Sequence, residues 1–163
     1  MPAMPADPAL HIRPAEPWDA GAMALLLQEI VEIGGTTAIE GPVTGAEIRD
    51  WMATPGSLWH VAERDGAVTG FQWVEPNRDL PDDALAIATF VAPGAHGVGI
   101  GSALFAATAA AARAAGAAWI DATILARNAG GRAYYRSRGF QTYAITPGRD
   151  GRGDRLSKRF DLD

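Results

Sequence analysis

The chain has 163 residues, enough for one domain with a proper core, and its apolar and charged shares of 48% and 20% are those of an ordinary globular protein. A net charge of −5 argues against a nucleic-acid partner, which leaves a basic footprint, and suits a cationic ligand, although acidity also serves solubility alone. Cysteine is absent, which excludes disulfides, a cysteine nucleophile and thiolate metal sites, and no apolar run approaches the about 20 residues that cross a bilayer.

The proline-rich stretch 1–9 lacks the basic flank and apolar centre of a signal peptide and reads as a disordered leader. Residues 10–163 read as one domain, with the cytoplasm as the default location. Leu10 to Arg13 form a short strand ended by Pro14. A helix follows, with Pro17 in its first turn and Met23, Leu26, Leu27 and Ile30 on one apolar face; Gly34-Gly35 stops it. After a loop, Thr44-Gly45-Ala46-Glu47 matches a capping box, and Ile48, Trp51 and Met52 give the second helix its stripe. Leu58 to Arg64 and Ala67 to Glu75 read as a hairpin around Asp65-Gly66, a type I′ signal. An apolar strand runs from Ala84 to Val91. A helix from about Gly99 to Ala115 places Ile100, Leu104, Ala107 and Ala111 on one face, and Gly116 ends it. Trp119 to Leu125 is a buried strand, Asn128 to Arg138 a helix, and Gln141 to Thr146 and Leu156 to Phe160 are strands around a polar loop. The order β-α-α-β-β-β-α-β-α-β-β predicts an α/β (α+β) fold, a mixed sheet of about seven strands with about four helices. It does not predict a regular doubly wound sheet.

The stretch Val91 to Leu104, V-A-P-G-A-H-G-V-G-I-G-S-A-L, joins strand to helix through four glycines. Unpaired N–H groups at a helix start, approached through glycine, make an anion site, although an ordinary glycine-rich connection has the same pattern. A Walker loop is excluded because no lysine lies here. The dinucleotide fingerprint fails because its third glycine would fall on Ser102.

The stretch resembles V-x-P-x-x-[R/Q]-G-x-G-I-G-x-x-L, the acyl-CoA pyrophosphate loop of the GNAT superfamily of N-acetyltransferases, through Val91, Pro93, Gly97, Gly99, Ile100, Gly101 and Leu104. A second GNAT motif, N-x-x-A-x-x-L-Y-x-x-x-G-F, is met by Asn128, Tyr135, Gly139 and Phe140. The segments I-R-P-A, T-G-A-E-I-R-D-W-M and D-G-A-V-T-G-F look most like the phosphinothricin and small-amine acetyltransferase branch.

The resemblance implies the GNAT acyl-CoA N-acyltransferase fold, acetyl-CoA as acyl donor with no metal, and a small-molecule primary amine as acceptor in a ternary complex. It further implies a homodimer. A non-catalytic acyl-CoA-binding module and a protein N-terminal acetyltransferase are the alternatives. Pantetheine would lie where Ala84–Val91 and Trp119–Leu125 splay, on backbone groups of Phe90 and Val91. Pyrophosphate would sit on the N–H groups of His96, Gly97, Val98, Gly99, Ile100, Gly101 and Ser102. Asn128 would reach the pantetheine amides or act as a plain N-cap, and Tyr135 would offer its phenol to the departing sulfur or belong to the core. Tyr134 reads as core. The acceptor pocket would draw on the loop around Thr36 and on Trp73, Glu75 and Thr89, although Trp73 and Glu75 also fit a half-buried sheet face.

The chemistry exposes one gap. An alkylamine of pKa about 10.4 has only about one molecule in a few thousand neutral at pH 7, so acyl transfer to it needs a base or a desolvating pocket. Many relatives carry a glutamate on the strand before the loop, whereas Ala84-Leu85-Ala86-Ile87-Ala88-Thr89 has no carboxylate. Glu75 and His60 are the candidates for that role, each with a structural reading beside it. Two further departures are His96 in place of arginine or glutamine and Gly131 in place of alanine, the latter a small packing change.

Overall fold

The computed structural model describes residues 9–34, 37, 39, 41–95, 99–149 and 153–163. The expected leader lies outside the described residues except for Ala9. The chain forms β1 (Leu10–Pro14), a 3-10 turn (Pro17–Asp19), α1 (Ala20–Ile33), α2 (Gly45–Met52), β2 (Leu58–Arg64), β3 (Ala67–Glu75) and β4 (Ala84–Val91). There follow α3 (Ile100–Ala114), β5 (Trp119–Leu125), α4 (Ala129–Ser137), β6 (Gln141–Thr146) and β7 (Arg155–Asp161). Among the described residues the strands make one seven-stranded mixed sheet, as the sequence predicts, and the structure sets their order as β1-β2-β3-β4-β5-β7-β6. No helix among the described residues is long and apolar enough to cross a membrane.

Local chemistry explains most boundaries. Asp65 and Gly66 both have positive φ, 50° and 80°, the requirement of the type I′ turn that joins β2 to β3. Thr44 caps α2 by accepting the Glu47 N–H at 3.2 Å. Only that half of the expected capping box forms. The start of α1 is held from outside: Arg13 on β1 grips Asp19 through two N–H donors, at 2.8 and 2.9 Å, and reaches Glu63 on β2 at 3.1 Å. Asp19 also accepts the Glu16 N–H at 2.7 Å, so one buried carboxylate ties a strand to a helix start.

The helices cover the two sheet faces. On the α1–α2 side, Met23, Leu27 and Ile48 pack on Trp59, Val61, Phe71, Trp73 and Phe90. The Trp59 and Trp73 rings stack at 4.1 Å, and Trp51 of α2 adds a third indole 6.1 Å from Trp73. On the other side, α3 and α4 pack on Val74, Leu85, Ile87 and Ile120. Here one expectation is corrected: α3 buries Ile100, Leu104, Phe105, Thr108, Ala109 and Ala112, whereas Ala107 and Ala111 are half-buried. Alanines carry too little surface to set a helix's rotation. Phe105 sets it, with its ring 5.4 Å from Phe140 and 5.0 Å from Phe160.

Candidate active site

The sheet opens at its centre. The parallel strands β4 and β5 pair only where Ala84, Leu85 and Ala86 face Trp119, Ile120 and Asp121. From Ile87 and Ala122 onward no residue of one strand is registered with the other, so backbone donors and acceptors line a gap that ends at Val91 and Leu125. Phe90 turns its ring to the α1–α2 side, 5.2 Å from Phe71, so towards the gap it presents backbone.

The start of α3 lies just beyond β4. Gly99 caps it in the left-handed region, φ 81°, and gives no side-chain hydrogen bond. The first intrahelical bond runs from Ala103 N–H to the Gly99 carbonyl at 3.0 Å, which leaves the amides of Ile100, Gly101 and Ser102 without intrahelical partners at the positive end of the helix dipole. The Ile100 side chain is core, against Ala62 and Leu104, so this residue too offers its backbone. His96, Gly97 and Val98 lie outside the described residues, as does Thr36.

Gly101 has a further role that the motif does not announce. A Cβ there would lie 2.7 Å from Cε1 of Tyr134. The missing side chain lets Tyr134 reach over the helix and donate its hydroxyl hydrogen to the Gly101 carbonyl at 2.7 Å. Tyr134 is therefore not a plain core residue. Gln72, wholly buried on β3, extends Nε2 to the Tyr134 oxygen at 3.1 Å and to Thr89 Oγ1 at 2.8 Å. Thr89 in turn lies 2.9 Å from the Tyr135 hydroxyl. Burial pushes both tyrosines above the ordinary phenol value, Tyr135 the further, so both are neutral O–H groups at pH 7.

Asn128 is the N-cap of α4 and accepts the Gly131 N–H at 2.9 Å. Gly131 is more than a small packing change, because a Cβ there would fall 2.6 Å from Asn128 Nδ2.

The expected acceptor residues divide between two faces. Thr89 is registered with Gln72, and Gln72 with His60, so these three lie in one row on the α3 side. Trp73 is registered with Ala88 and Glu75 with Ala86, on the α1–α2 side. Thr89 therefore does not join Trp73 and Glu75, and His60 cannot serve an amine beside Glu75. His60 is 9% exposed, and burial holds its imidazole below the ordinary value, in the neutral form.

The sequence reading also missed a carboxylate. Ala86 is registered with Glu75 on one side and Asp121 on the other, so two acidic residues flank an alanine on one face. Asp121 is buried and accepts from Thr123 at 2.9 Å and from the Tyr143 hydroxyl. Burial and the bond to Asp121 push the Tyr143 phenol up to about 12. Tyr143 reaches inward because the pairing of β6 with β7 slips between Thr142 and Ala144, a bulge that re-aims the residue inside it. The acid at position 121 carried a weak signal, a lone charge inside an apolar strand.

The profile of the family described as an acetyltransferase (GNAT) domain matches residues 55–142, more than half of the chain. No curated protein matches the sequence. Several solved structures do. A GNAT superfamily phosphinothricin acetyltransferase from Sinorhizobium meliloti, in complex with AcCoA, is 25% identical, with 94% of this chain and 89% of that one covered and a TM-score of 0.83. A ribosomal-protein-alanine N-acetyltransferase from Brucella melitensis is 28% identical over 93% of this chain and 99% of its own, TM-score 0.83. A GCN5-related N-acetyltransferase from Kribbella flavida is 27% identical over 94% and 98%, TM-score 0.80.

Proposed function

Since this chain belongs to the GNAT acetyltransferase family and is an acetyl-CoA-dependent N-acetyltransferase, we propose that it acetylates the primary amine of a small molecule by direct attack in a ternary complex. The observation that carries the reading is the Tyr135 hydroxyl, held beside Thr89 on the part of β4 that has parted from β5. A proton donor at that point is where a thiol would leave.

The residues present fit the donor. The amides of Ile100, Gly101 and Ser102, which have no partner within the helix, suit a pyrophosphate, and the open edges of β4 and β5 suit an amide-bearing arm bonded to Phe90 and Val91. Acetyl-CoA supplies an acetyl group activated as a thioester. The backbone N–H groups at the end of β4 steady the oxygen as it gains charge. The ammonium first gives one proton to a carboxylate, which frees its lone pair. Nitrogen then bonds to the carbonyl carbon as the carbon–sulfur bond breaks, the Tyr135 proton passes to the sulfur, and the second proton shed by the nitrogen restores the Tyr135 hydroxyl. Glu75 and Asp121, flanking Ala86 near Trp73, provide the carboxylates in place of a glutamate on β4. They also favour a cationic acceptor.

Thiol release from acetyl-CoA over a panel of amino acids, polyamines and aminoglycosides tests the acceptor class. Tyr135→Phe is expected to lower kcat by about 10²–10⁴ with acetyl-CoA affinity retained; an unchanged kcat would remove Tyr135 as the acid. One finding favours a second reading: the relative from Brucella melitensis is described as acting on an alanine of a ribosomal protein. Peptides that begin with alanine therefore belong in the panel, and activity on them alone would replace the small amine. The homodimer rests on the family resemblance and is tested by sedimentation equilibrium.

A further inference from the structure

The chain of hydrogen bonds from Gly101 to Tyr135 has a fixed direction, which follows from counting hydrogens. The Tyr134 hydroxyl has one, and the Gly101 carbonyl can only accept, so that hydrogen is committed to Gly101. Towards Gln72 the Tyr134 oxygen then has only lone pairs, and Gln72 must present its nitrogen. This settles the orientation of the carboxamide from chemistry alone. Its two hydrogens go to Tyr134 and Thr89. Thr89 Oγ1 thus accepts from Gln72 and has one hydrogen left. The nearest partner left for it is the Tyr135 oxygen at 2.9 Å, because the Tyr134 oxygen, which also lies near Thr89, already accepts from Gln72. Thr89 therefore donates to Tyr135, and the Tyr135 hydrogen is spent on no protein group among the described residues.

We propose that Gln72 and Thr89 are positioning residues that keep the Tyr135 hydroxyl pointed as a hydrogen donor into the gap between β4 and β5, towards the sulfur. Were the order reversed, with Tyr135 donating to Thr89, the phenol would present lone pairs to a leaving thiolate and repel it. Gly101 is the anchor of the direction, because a carbonyl cannot reverse its role. The proposal rests on the reading of Tyr135 as the proton donor, and it adds that two residues outside both family motifs decide whether that donor faces the right way.

The test uses free coenzyme A bound to the full chain, with the thiolate followed by ultraviolet difference absorbance across pH. A donor aimed at sulfur stabilises the thiolate and makes the bound thiol more acidic. The native protein is expected to bind coenzyme A with its thiol about tenfold more acidic than in Tyr135→Phe, about one pKa unit. Thr89→Val, nearly isosteric, is expected to lose most of that difference while coenzyme A affinity stays within a few-fold, and Thr89→Ser to restore it. Gln72→Met is expected to match Thr89→Val and serves if the valine variant folds poorly. In the Tyr135→Phe background, Thr89→Val is expected to change nothing further.

The outcomes separate the two ideas. No binding of coenzyme A, or equal thiol acidity in the native protein and Tyr135→Phe, overturns the reading of the site and the proposal with it. A loss in Tyr135→Phe that neither Thr89→Val nor Gln72→Met reproduces overturns the positioning role alone. So does an effect of Thr89→Val that persists without the Tyr135 hydroxyl.

Discussion

Gly101→Ala should destabilise this protein, although a glycine-to-alanine change within a helix ordinarily does the opposite. Helix propensity alone favours alanine by about 1 kcal/mol. Against this, the new Cβ would lie 2.7 Å from Tyr134 Cε1, where ordinary contact begins at 3.4 Å. Tyr134 sits between α3 and Gln72, so relief means moving the ring away and stretching its 2.7 Å bond to the Gly101 carbonyl. Overpacking of this kind costs about 1–3 kcal/mol, and losing the hydrogen bond about 1 kcal/mol more. After the propensity gain, a net loss of about 1–3 kcal/mol is expected, and in a chain of this length each kcal/mol lowers Tm by about 2–4 °C. Urea unfolding of four proteins measures it: native, Gly101→Ala, Tyr134→Leu and the double variant. With the ring gone, Gly101→Ala should become neutral or stabilising, a coupling between contacting residues. A Gly101→Ala protein at least as stable as the native one, or an equal effect in both backgrounds, would refute the argument.

Three further outcomes follow from the packing and the titrating groups. Asp19→Asn breaks the paired contact with Arg13 and should lower stability at pH 7. The Arg13 guanidinium holds the Asp19 carboxyl below its ordinary value, so this contribution is present above about pH 4 and fades as pH falls through the native value; unfolding midpoints of the two proteins should therefore converge in acid. His60 has its pKa lowered by burial, so the stability tied to its neutral form is complete above about pH 6.5 and is lost as pH falls below that. His60→Gln should flatten the decline in Tm between pH 7 and more acid conditions, and an unchanged slope would count against a neutral buried imidazole. Thr44→Ala removes the side-chain cap of α2 and should cost about 1 kcal/mol in urea unfolding.

What could be read from the residues is what neighbouring residues decide among themselves. Apolar runs placed β4 and β5, Asp65-Gly66 set the hairpin of β2 and β3, and the two GNAT motifs marked the start of α3 and the face of α4 that carries Tyr135. Each of these rests on local sterics, local hydrogen bonds or a short apolar period. The roles of particular side chains in the site were decided elsewhere. Strand register put Thr89 on the face of Gln72 and His60 rather than with Trp73, and put Asp121 in line with Glu75 across Ala86. A bulge turned Tyr143 towards Asp121, and Phe105 rotated α3 away from the stripe that its alanines suggested. Tyr134 could not be told from a core residue until Gly101 came within reach of it. Register, rotation and contact are settled by residues far apart in the chain, whose shapes meet only after the sheet has formed. That is why the family could be read from the residues in a row, and the direction in which Tyr135 faces only from the fold.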